Sequence, residues 1–166
     1  IAVSRGLGDV YKRQALANGY AGTSHKNCKG VIHGIASACL IEHLRRENPH
    51  QTYVMSCEDL ANVGPVALLQ DLAAVATLGI DHAERNGHHY FAGLSMFPQD
   101  VQTNTLTKHS DLYHAHADGF PTLQIQQGKI DIKSLVNAPF GLAVDLDPAI
   151  FTPIDEWDNS WLVELG

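Results

Sequence analysis

Between Gly22 and His116, short β-rich runs alternate with apolar helical stretches, and the links between them are brief. This alternation constrains the fold more than any other feature. Strand and helix units joined by short links imply parallel strands with helices laid over them. "GTSHKNCKG" (Gly22–Gly30) reads as a strand-to-helix turn ahead of an apolar run. In that run Val31, Ile32, Ile35, Ala36, Cys39, Leu40 and Leu44 recur at three- and four-residue spacing, an amphipathic helix of about four turns. Asn27 suits its N-cap. Arg45 and Arg46 suit its C-terminal dipole, and Pro49 blocks continuation. Gln51–Cys57 reads as a strand, and Glu58–Pro65 as a polar turn. Val66–Gly79 reads as a helix apolar on most faces, with Gly79 at its C-cap. Ile80–Glu84 is a short strand, Arg85–Pro98 an aromatic loop, and Gln99–His116 a more polar helix stopped by Gly119. From Pro121 the pattern alternates around Gln127-Gly128, a hairpin signal. A Gly/Pro-punctuated tail and an acidic end follow, with Trp157 and Trp161 as docking residues. About two and a half strand–helix units are too few to close an eight-stranded barrel and fit the end of one. The expected fold is therefore α/β, the last units of a (β/α)8 TIM-type barrel with a small C-terminal β segment.

Composition narrows the function. The 166 residues suffice for a real core, and 45% hydrophobic with 17% charged residues is ordinary for a globular chain. A net charge of −7 argues against a nucleic-acid partner, whose phosphates need a basic patch. No apolar run reaches the ~18 residues of a membrane span. Cys28, Cys39 and Cys57 are odd in number and lack a CxxC pair, which points to reduced thiols, a cytoplasmic location and no zinc site. Ten histidines are the compositional oddity.

"VSRGLGDVYKRQ" (Val3–Gln14) resembles a translated sequencing adapter, and no Met starts the chain. Ile1–Gln14 is expected to be artefactual and the rest a C-terminal fragment of a longer protein. Removing Arg5, Asp9, Lys12 and Arg13 leaves 8 basic against 17 acidic residues, a balance of −9.

Four stretches in chain order resemble the C-terminal half of the enolase superfamily, in its mandelate racemase and muconate-lactonizing branch. "TSHKNCKGVIHGIASACLIEHL" is similar to that family's sixth-strand turn and helix, and "VMSCEDLANVGPVALLQDLAAVATLG" to its seventh. "DHAERNGHHYF" resembles the eighth strand, and "GKIDIKSLVNAPFGLAVDLD" the tail that returns to a capping domain. The resemblance covers about Ala15–Ile150. It departs at "NCKG", where many relatives have a glycine pair, and at Phe140, where they have glycine. It implies barrel units over residues 15–120 and a returning tail over 121–166. It also implies a Mg²⁺-dependent dehydratase, racemase or cycloisomerase that removes a proton next to a carboxylate. The substrate would be a small carboxylate, a sugar acid above all, and the full-length form a homo-oligomer. The family's metal ligands lie on the third to fifth strands, so none is expected here, and the fragment alone is expected to be inactive.

Such chemistry needs a base and charge stabilisation of the oxyanion, placed at strand C-termini. Lys26 is the first candidate for general acid/base, because a helix N-terminus and a neighbouring cation both disfavour its charged form. His25 is the alternate base, and Lys29 supplies the cation or binds a substrate carboxylate. Glu58 and Asp59 open the seventh turn as orienting or hydroxyl-binding carboxylates, or merely suit the helix dipole. Glu84 is the eighth-strand acid, or an ion-pair partner of Arg85. Asn86, His88 and His89 lie beyond it as contacts to a polyol. Cys28 and Cys57 are read as packing residues. Two rival readings are a metal-dependent barrel hydrolase, suggested by the histidines, and a non-catalytic relative of the fold.

Overall fold

A computed structural model describes residues 3–4, 9–59, 62–85 and 87–158. The protein is mixed α/β. Four parallel strands, β1 (Val3–Ser4), β2 (Gly22–His25), β3 (Val54–Asp59) and β4 (Ala83–Arg85), lie side by side in chain order. Helices α1 (Asp9–Ala17), α2 (Val31–Glu47) and α3 (Ala67–Thr77) form the crossovers. When each parallel strand is followed by its immediate neighbour, right-handed crossovers lay every helix on the same face. The contacts agree. Lys12 of α1 donates to Ser37 Oγ of α2 at 3.0 Å. Met55 and Cys57 of β3 share one apolar cluster with Val75, Ile80 and Ala38. The sheet is open among the described residues and does not close into a barrel.

Helix α2 meets the sheet through a different stripe from the one its apolar spacing marks. Gly34, Ser37 and Ile41 are buried, whereas Val31, Ile32 and Ile35 are exposed, Ile32 to 77%. The cause is close approach. A Cβ on Gly34 would stand 2.6 Å from His25 Cε1 and 2.9 Å from Leu78 Cδ1, so only glycine lets the helix settle over the His25 ring. Asn27 does not cap α2. It begins a 3-10 turn, Asn27–Lys29, and Gly30 at φ +98° takes the cap position. Arg45 leaves the helix end and donates twice to the Tyr53 carbonyl, at 3.1 and 2.9 Å, which fixes the entry to β3.

Helix α3 buries Leu68, Leu69, Asp71, Leu72 and Val75, leaves Ala67, Gln70, Ala76 and Thr77 exposed, and serves two cores. Val75 belongs to the cluster under the sheet, while Leu68, Leu69 and Leu72 join Leu94, Leu112, Tyr113 and Leu135 in a second. That second core collects the C-terminal third. The aromatic loop contains a short helix α4 (Gly87–Tyr90). Helix α5 (Gln99–Lys108) ends eight residues before the expected His116, and Tyr113–Ala115 forms β5, antiparallel to β6 (Pro121–Leu123). The hairpin turn at Gln127-Gly128 is present. Both residues have left-handed φ (51° and 73°), and Gln126 and Lys129 exchange backbone hydrogen bonds at 2.8 and 2.9 Å. A short helix α6 (Lys133–Val136) and a 3-10 turn (Pro139–Gly141) return the tail to α3. A Cβ on Gly141 would lie 2.7 Å from the Leu69 carbonyl oxygen. Trp157 is about half exposed, and Trp161 lies outside the described residues.

Candidate functional site

Register decides which side chains meet. Ser24 pairs with Ser56, His25 with Cys57 and Ala83, and Glu58 with Glu84. Successive strand residues point to opposite faces. Cys57 and Ala83 lie in the cluster under the helices, so His25 shares that covered face. Ser24, Ser56, Glu58 and Glu84 share the other face, where they line a cavity of about 350 Å³ together with His82. His82 precedes Ala83 as Glu84 follows it, so both belong to this open face.

Lys26 follows β2 immediately, and its Nζ lies 3.2 Å from Glu58 Oε1. Glu58 is buried and Lys26 is only partly exposed, so the pair is poorly screened. The neighbouring cation expected beside Lys26 is therefore replaced by an anion. Lys29 sits exposed in the 3-10 turn. Glu84 lies next to Glu58 across one strand spacing, about 4.8 Å. Lys26, Glu58 and Glu84 thus form one row across the C-terminal ends of three adjacent strands.

The structure separates His25 from that row. Its ring is buried against Gly34 on the covered face, and its pKa is lowered by burial and by the nearby charges of Lys12 and Arg85. Arg85 also belongs to the covered face. Its guanidinium pairs with the fully buried carboxylate of Asp71 in α3, not with Glu84, and approaches Cys57 Sγ at 3.8 Å. Asp59 ends β3 in register with Arg85. Asn86 and the side chains of Asp59, His88 and His89 lie outside what the structure describes. Cys28 and Cys39 are exposed, and Cys57 packs in the core.

Two residues escaped the sequence reading. Asp71 is a carboxylate within an otherwise apolar helix, which was its only signal. His82 was legible by parity, two residues before Glu84 and just ahead of β4. A second cavity, about 30 Å³ and lined mostly by apolar groups such as Val63, Leu68 and Phe91, lies beside the buried Tyr113 hydroxyl. Burial raises that phenol above its ordinary range.

Among the described residues no three His, Cys, Asp or Glu side chains gather closely enough to hold a metal ion. No helix among them is long and apolar enough to cross a membrane. Comparison with protein-family models, curated proteins and solved structures gives no match to this chain.

Proposed function

We propose that the chain is the C-terminal part of a (β/α)8-barrel enzyme of the enolase-superfamily kind, one that removes a proton next to a carboxylate in a sugar-acid dehydration, racemisation or cycloisomerisation. The observation that carries this reading is the row of Lys26, Glu58 and Glu84, with Lys26 Nζ 3.2 Å from Glu58, on the face the helices leave open. Catalytic groups of barrel enzymes stand at strand C-termini. A parallel sheet with helices on one face only also needs its other face covered, and closure into a barrel covers it.

In this reading Lys26 exchanges the proton at the substrate carbon, and Glu58 orients its amine. In a dehydration Lys26 first passes a proton to Glu58, its partner at 3.2 Å, and as a neutral amine takes the proton of the breaking carbon–hydrogen bond while a carbon–carbon double bond forms. The departing hydroxyl takes a proton from the acid form of Glu84 and leaves as water. Glu58 then gives its proton to Glu84, which restores all three groups. The resemblance implies that the Mg²⁺ ligands stand on strands outside this chain, and no step here runs through the metal. His25, on the covered face, keeps at most a supporting part.

The reading is tested with the enzyme made from the complete reading frame, by solvent deuterium exchange into a panel of sugar acids. Lys26→Ala is expected to slow exchange by roughly 10²–10⁴-fold. Exchange that is unaffected by Lys26→Ala contradicts the assignment.

A further inference from the structure

Beneath the row of Lys26, Glu58 and Glu84 lies a second row of Ser24, Ser56 and His82, one residue pair deeper on the same face, about 6.6 Å toward the strand N-termini. Its chemistry differs from the row above. The upper row carries charge and moves protons, whereas the two hydroxyls below it each donate and accept without changing charge, and an imidazole offers two ring nitrogens to a ligand. A ligand hydroxyl also donates and accepts. One member of the deeper row lacks a partner: Ser24 is 8% exposed, lines the cavity, and its Oγ has no hydrogen-bond partner among the described residues. A buried hydroxyl left unpaired costs about 1–3 kcal/mol, so the site is built for something that meets it. His82 is exposed at the same cavity and so is open to a ligand.

We propose that Ser24, Ser56 and His82 form the hydroxyl-reading subsite of this cavity and determine its specificity for a polyhydroxylated chain attached to the reacting carboxylate. This rests on the reading of the open face as the substrate side. It adds the residues that distinguish a sugar acid from a simple carboxylic acid.

The test uses the whole 166-residue chain with ¹³C at histidine Cε1, the His82 resonance being assigned by its loss in His82→Gln. The probes are D-gluconate, sorbitol and propionate. Gluconate and sorbitol are expected to move the His82 resonance saturably, and propionate is not. Ser24→Ala is expected to weaken gluconate binding roughly three- to tenfold, the worth of one hydrogen bond. A His82 shift with propionate equal to that with gluconate overturns the subsite. So does gluconate binding that leaves His82 unmoved, and so does no shift with either polyol. If the subsite fails while Lys26-dependent deuterium exchange in the complete enzyme persists, only the hydroxyl row is wrong. If both fail, the proposed function falls with it.

Discussion

Phe140 holds a left-handed backbone (φ 52°, ψ 27°) while its side chain is 85% exposed. A side chain there carries the steric cost of that conformation and returns almost no burial. Glycine would take this φ without that cost. Phe140→Gly is expected to raise stability by about 0.5–1 kcal/mol in urea unfolding, the relief of strain exceeding the added freedom of the unfolded chain. A lower midpoint would contradict the conformation. His109 behaves in the opposite way, as a residue held firmly in one state. It is fully buried, Nε2 accepts from the Ala143 amide at 3.1 Å, and Nδ1, which must then carry the proton, donates to Ser134 Oγ at 2.8 Å. Burial lowers its pKa against the opposing pull of Asp111. As pH falls below about 6.5 the unfolded chain takes up a proton that the folded chain resists. Stability is therefore expected to be level above that pH and to decline below it, with His25 contributing in the same direction. His109→Asn should flatten the decline in urea midpoints measured from pH 8 to pH 5. An unchanged slope would contradict the neutral clamp.

At the level of elements, what the sequence reveals is uneven, for physical reasons. The strand at Val54, the helix at Ala67 and the turn at Gln127-Gly128 follow from apolar period and turn chemistry, which are local. The buried stripe of α2 is not local. It is set by Gly34 against His25, a contact between two segments whose sizes must fit. The end of α5 is likewise set from outside, because Tyr113 is recruited into the second core and His116 N–H donates to the Phe120 carbonyl at 2.8 Å. The two faces of α2 give a clean comparison. Ile41→Ala is expected to cost about 2–4 kcal/mol, since Ile41 is 1% exposed, whereas Ile32→Ser is expected to stay within about 0.5 kcal/mol. Equal losses in thermal unfolding would show that the apolar stripe, not the glycine stripe, faces the sheet.

For the whole molecule, the crossover helices gather on one face of the parallel sheet, and the polar row of Lys26, Glu58 and Glu84 stands on the other. The sequence indicated Lys26, Glu58 and Glu84 through their positions at strand ends. It kept His25 as the alternate base, because adjacent residues of one strand differ only in the face they take, and that depends on register. His82 was within reach of the same parity argument. Asp71 was not, since its partner Arg85 comes from a different element. We propose that the open face is the inside of a barrel whose remaining strands carry the metal-binding carboxylates. The most direct measurement is the DNA sequence upstream of this segment in its source. The account predicts an uninterrupted reading frame encoding a capping domain and further strand–helix units, with Asp or Glu at the ends of three successive strands. A start codon at the head of this segment, or an upstream frame without those carboxylates, would contradict it.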